Sequence, residues 1–103
     1  MIEMVLYQNS EGSVHRFRIQ NHGDPIVCAG VSALAITCAN FLSAKFSENI
    51  RQSYDGSEYI DVEIIGDITH DMSLIIQNMV FGIDLISDAY PNQIKIIKKR
   101  CLL

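Results

Sequence analysis

From Ile2 to Tyr7, and again from Val14 to Ile19, apolar and polar side chains roughly alternate, which is the period-two pattern of half-buried strands. Asn9-Ser10-Glu11-Gly12 between them is turn chemistry, so the chain opens as a β-hairpin. The link Gln20-Asn21-His22-Gly23-Asp24-Pro25 is polar and rich in breakers, and an apolar run from Ile26 to Leu42 follows it. Asp24 suits the N-cap of a helix and Pro25 its first position, where the missing N–H costs nothing. Gly30, Ser32, Thr37 and Asn40 interrupt the run, and it falls short of the ~20 residues of a membrane span, so it reads as a buried helix and no membrane partner is expected.

Past Lys45 the stretch from Ser47 to Ser57 turns polar, with Asp55-Gly56 a turn signal. Tyr59, Asp61 and Glu63 then alternate with Ile60, Val62 and Ile64 in a strand reaching Ile65, and Arg51 to Tyr54 offers an extra strand to pair with it. Met72, Ile75, Ile76, Met79, Val80, Ile83 and Ile86 form the stripe of an amphipathic helix. Leu74, Phe81 and Leu85 lie off that stripe, and a second apolar face on a helix in so small a protein points to contact with another chain, a homodimer. Gln93 to Lys99 reads as a last strand within a basic Lys98-Lys99-Arg100 end. The order ββαβ(β)αβ predicts an α+β fold of two layers, with two helices on one face of a mainly antiparallel sheet.

The chain has 103 residues, 49% of them hydrophobic, enough for one packed core, so residues 1–103 are expected to form a single domain. A net charge of −4 argues against direct nucleic-acid binding, which needs a basic face, and suits a basic protein partner better. Cys28, Cys38 and Cys101 form no CxxC and no metal-ligand spacing, and an odd number leaves at least one unpaired within the chain. A reducing cytoplasm is the simplest setting, and no metal or cofactor is expected. The opening MIEMVLYQNS lacks the basic start and apolar core of a signal peptide.

One segment carries chemistry: Asn21-His22-Gly23-Asp24-Pro25-Ile26-Val27-Cys28-Ala29-Gly30-Val31-Ser32-Ala33-Leu34. A cysteine protease needs a thiolate, an imidazole to exchange protons with it, and donors for an oxyanion. Cys28 falls in the first turn of the expected helix, where unpaired amides and the helix dipole favour thiolate. The amides of Cys28 and Ala29 are the first candidates for oxyanion donors, and the small Ala29 and Gly30 leave a substrate backbone room. His22, six residues earlier, spans at most ~20 Å and can fold back through the Gly-Asp-Pro turn. Asp24 has two possible roles: capping the helix, where its charge opposes a thiolate, or orienting His22. Ser32 lies one helical turn beyond Cys28 on the same face.

A plainer reading stands beside this one. A lone cysteine on an apolar helix is usually a buried small hydrophobe, which is the reading of Cys38 among Ile36, Ala39 and Leu42. Cys101 reads as an incidental exposed thiol, and His15 and His70 as surface residues. A helix serine usually bonds its own backbone. On these residues alone, both readings of Cys28 remain open.

The segment resembles the signature of the bacterial ribosomal-processing cysteine protease family (Prp). There a Gly-His-Ala junction precedes a loop and then Asp-Ile-Val-Cys-Ala, a small residue, one more, and Ser-Ala. This chain keeps His22, the run Ile26-Val27-Cys28-Ala29-Gly30, and Ser32-Ala33. It differs in a shorter loop, in Asn21 and Gly23 flanking His22, and in Pro25 between Asp24 and Ile26. The likeness runs more loosely through the opening hairpin, the second helix and Ala89-Tyr90-Pro91. It implies Cys28 as nucleophile and His22 as general base and acid, with Ser32 a supporting residue beside Asp24 and Ala29. It also implies a homodimer that clips an N-terminal extension from a large-subunit ribosomal protein, next to aromatic residues. Ribosomal proteins are basic, in keeping with the acidic charge. The alternative is a non-catalytic module that docks a peptide or ribosomal protein at the same groove, and a third reading is a structural dimerisation domain.

Overall fold

β1 (Ile2–Gln8) and β2 (Val14–Gln20) pair antiparallel, with a register shift at Tyr7/Gln8. Asn9 shapes the turn between them: its side-chain oxygen accepts from the amides of Glu11 and Ser13, and Gly12 takes the left-handed φ of 87° that the turn needs. The computed structural model describes residues 1–54 and 59–100; the Asp55-Gly56 turn and Cys101 lie outside the described residues.

After α1 (Pro25–Lys45) and a 3-10 turn (Ser47–Asn49) come β3 (Ile50–Tyr54), β4 (Tyr59–Ile64), α2 (His70–Ala89) and β5 (Ile94–Arg100). The strands lie in the order β3-β4-β2-β1-β5, all neighbours antiparallel except β1 and β5. This is the expected two-layer α+β architecture, including the extra strand. β4 ends at Ile64, although the Ile65 amide still donates to the Asn49 carbonyl at 2.7 Å in the register of β3 and β4; alternation turns the Ile65 side chain away from the core, where it is exposed. His70, expected in a loop, opens α2, whose N-cap Thr69 accepts from the Met72 amide through Oγ1.

Alternation sends Ile2, Met4, Leu6, Phe17, Ile19, Ile60, Val62, Ile64 and Ile94 to one face, where they meet both helices in a single core. Each fully buried side chain of this size contributes roughly 1.5–3 kcal/mol from burial. α1 adds Val27, Val31, Ala35, Cys38, Ala39 and Leu42; α2 adds Met72, Ile76, Met79 and Ile83. Both helices are long and apolar enough, by length and composition, to cross a bilayer; here each lays its buried stripe on the sheet. They also approach each other closely, since a Cβ on Gly82 would stand 2.9 Å from Leu34 Cδ1 and one on Gly30 would stand 3.1 Å from Ile86 Cδ1.

The opposite sheet face departs from a purely solvated polar surface. Asp61 is buried because Arg16 grips its carboxylate with two nitrogens, at 2.9 and 2.6 Å, and Arg18 adds a third contact at 3.4 Å. That hydrogen bond, ahead of simple charge attraction, holds the Arg16 pKa above its ordinary value. Val5 is buried on this face too, in register between Arg18 and Ile97, and Arg16 also stacks over the Tyr7 ring at 4.8 Å.

Candidate functional site

The site grows from the four residues that turn β2 into α1. Asn21 adopts φ 69°, a left-handed conformation that asparagine tolerates better than most residues, and bends the chain off the sheet. Gly23 then passes so close to β1 that a Cβ there would stand 3.3 Å from Ile2 Cγ1 and 3.6 Å from Gln93 Oε1. Asp24 starts the helix, its Oδ1 accepting from the amides of Ile26 at 2.9 Å and Val27 at 3.4 Å. Pro25 fills the first helical position as the sequence suggests.

Cys28 and Ser32, one turn apart, are both half-buried, and the thiol packs against the edge of the core. Ala29 and His22 are exposed. Among the described residues no hydrogen bond joins His22 to Cys28 or to Asp24, so of the two roles open to Asp24 the one adopted is the helix cap.

Two expectations about this end of α1 change. The Cys28 amide is not free for an oxyanion, because it donates to the Asp24 carbonyl at 2.8 Å and closes the first helical turn. Ala29 sits one residue further in, where the helix ladder takes the amide. With Pro25 lacking an N–H and Ile26 and Val27 held by the Asp24 side chain, every amide of the first turn has its partner or has none to give. Gly30 does not open space for a substrate either, because its bare side faces Ile86 of α2.

The other thiol is a different chemical object. Cys38 is buried, its Sγ faces the Ile75 carbonyl at 3.9 Å, and loss of solvent pushes its pKa up to about 12. Cys28 and Cys38 are both free of disulfides. His15, expected at the surface, is half-buried in β2, whereas His70 is exposed. No cluster of metal-ligating side chains occurs among the described residues. An apolar groove of about 580 Å³ between the helices, lined by Ala33, Leu34, Phe41, Leu74 and Met79 among others, lies on the flank of α1 turned away from Cys28.

Gln93 is the neighbour of the site that sequence reasoning missed. It lies between Asn92 and β5, some seventy residues from His22 along the chain, and its Oε1 stands 3.5 Å from the Asp24 amide. No periodicity or motif marks it.

A family model described as cysteine protease Prp matches residues 1–95. No curated protein matches the sequence. Among solved structures, the essential ribosomal processing protease Prp from S. aureus, in complex with a covalently linked product peptide, is 27% identical. It superposes with a TM-score of 0.87, covering 96% of this chain and 100% of that one. The same S. aureus protease with a substrate peptide is 25% identical, with a TM-score of 0.85 and the same coverage. SMU.848 from Streptococcus mutans shares the fold at 18% identity, with a TM-score of 0.74 over 98% of this chain and 96% of its own. A match over nearly the whole length, on the fold just described, means that the chain belongs to the cysteine protease Prp family.

Proposed function

We propose that this protein is an endopeptidase that removes the N-terminal extension of a large-subunit ribosomal protein, with Cys28 as nucleophile and His22 as its proton-transfer partner. The observation that carries the reading is the contrast between the two described thiols. Cys28 is half-buried in the first turn of α1, close after the exposed His22 junction, while Cys38 is buried in the core, where loss of solvent raises its pKa.

In this reading His22 takes the Cys28 proton and the sulfur attacks the scissile carbonyl carbon, forming an S–C bond. The C–N bond then breaks as His22 returns the proton to the leaving amine. Water, deprotonated by His22, attacks the thioester and releases the carboxylate and the free thiol. His22 and Cys28 share no hydrogen bond in the described fold, so the junction must bring the ring to the sulfur when substrate binds; catalytic contacts commonly tighten only in the complex. Ser32, on the Cys28 face, supports the site, and Ala29 borders the substrate path. The two S. aureus complexes, one with a product peptide and one with a substrate peptide, support a peptide ligand for this fold. The free thiols suit a cytoplasmic setting. The exposed side chains of Leu74, Phe81 and Leu85 support a homodimer.

The test is mass spectrometry of the purified protein mixed with the N-terminal peptide of the host's extended ribosomal protein, with Cys28→Ala in parallel. A single cut made by the wild type and absent from Cys28→Ala is expected; an uncut peptide would reject the reading. The occupied first-turn amides and the unlinked His22 favour one second reading, a module that binds the same peptide without cutting it. That reading predicts equal binding by the wild type and Cys28→Ala with no product.

A further inference from the structure

We infer that Gln93 is a positioning residue for the His22–Cys28 site, holding the junction of residues 21–24 at a set height over the start of α1. The inference rests on the reading of that pair just given.

Gln93 is anchored at both ends. Its backbone carbonyl accepts the Ile2 amide at 3.1 Å, tying the loop before β5 to the first residue of β1. Its side chain points the other way, with Oε1 3.5 Å from the Asp24 amide and beside the bare face of Gly23. Ile2, buried in the core, supplies the apolar half of the same seat under Gly23. Among the described residues, the Asp24–Gln93 contact is the only hydrogen bond joining residues 21–24 to anything beyond the start of α1.

Asp24 therefore stands between two partners. Its N–H faces Gln93 and its carbonyl holds the amide of Cys28. A shift of the Gln93 carboxamide moves Asp24, and with it both the loop carrying His22 and the turn carrying Cys28. A contact at 3.5 Å is at the long limit for a hydrogen bond and adds little to global stability. Its effect is on placement, and placement errors of about 1 Å can cost on the order of a hundredfold in rate.

Two variants of the full chain test this. Gln93→Leu keeps the shape and removes the acceptor; Gln93→Glu keeps an acceptor oxygen. Three quantities are read in each: hydrogen exchange of the Asp24 and Cys28 amides by NMR, the pH profile of Cys28 alkylation by iodoacetamide, and kcat and KM on the extension peptide. In Gln93→Leu, amide exchange is expected to rise and kcat to fall by about tenfold each, with KM within about twofold and the alkylation profile displaced. Gln93→Glu is expected to recover exchange and kcat to within about threefold of wild type. A folded Gln93→Leu protein with unchanged exchange overturns the inference, as does a Gln93→Glu protein as impaired as Gln93→Leu. A wild type that leaves the peptide uncut rejects the protease reading instead, and the exchange comparison, which needs no turnover, then decides the role of Gln93.

Discussion

The carbonyl oxygen of Asp24 accepts the amide of Cys28 at 2.8 Å while the carboxylate of the same residue caps Ile26 and Val27. One residue thus starts the helix and sets the first turn on which the thiol rides.

Replacing Asp24 with alanine removes the cap and the charge together. Urea unfolding is expected to show a loss of about 1 kcal/mol, the usual cost of an Asp→Ala change at an N-cap. Unchanged unfolding would show that solvent replaces the cap without cost.

Cys38 gives the fold a pH dependence at the alkaline end. Its folded pKa is raised from 9.0 to about 12 by burial. Below pH 9 the thiol is protonated in both states and its contribution to stability is full. Between pH 9 and pH 12 the unfolded chain gives up the proton and the folded one keeps it, so stability falls as pH rises, by up to about 1.4 kcal/mol per pH unit. Denaturation curves of wild type and Cys38→Ala across this range should differ by that slope, with Cys38→Ala the less stable protein at pH 7 through lost packing. In a native protein at pH 7, peptide mapping should find the alkyl label on Cys28 well before Cys38.

The clasp of Asp61 by Arg16 and Arg18 ties β2 to β4 on the face away from the helices. Asp61→Asn keeps the shape and removes the charge that makes these bonds strong. A loss of about 1–3 kcal/mol in urea unfolding is expected, with little change in cleavage, because the pair sits on the opposite side of the sheet from α1. Unchanged stability would show that the guanidinium groups regain their solvation without cost.

Phe81 and Leu85 are 66% and 55% exposed on α2. If a second copy covers this face, Phe81→Glu and Leu85→Glu should lower the mass seen by light scattering from dimer to monomer while circular dichroism stays that of the wild type. A wild type that runs as a monomer at micromolar concentration would remove the homodimer from the proposal.

Much of this architecture is legible along the chain because its causes are local. Alternation in Ile2–Tyr7 and Ile60–Ile64 decides which side chains a strand can bury, and the stripe from Met72 to Ile83 does the same for α2. Asp24-Pro25 starts α1 by cap chemistry acting within three residues. α1 begins at Pro25, as its cap chemistry indicates, but its C-terminal end runs past the apolar run to Lys45, because hydropathy does not set where a helix stops.

The candidate site is only half legible in the same way. His22, Cys28 and Ser32 stand close in sequence, so their residue types and spacing were enough to single them out. What occupies the amides of the first turn, which way Gly30 faces, and what supports the junction depend on contacts with α2 and with the loop before β5, and no local pattern encodes those.

The sequence by itself determined the elements and the buried stripes, because each follows from propensities and periodicities acting over a few residues, and it marked the candidate segment from His22 to Ser32 by residue type. The tertiary structure alone decided that Cys28 stays partly exposed at the edge of the core, that Asp61 is buried under two arginines, and that Gln93 meets Asp24 across 69 positions of chain. Burial, desolvation and long-range hydrogen bonds depend on which surfaces meet, and that is set when the helices and the parallel β1–β5 pair close on the core.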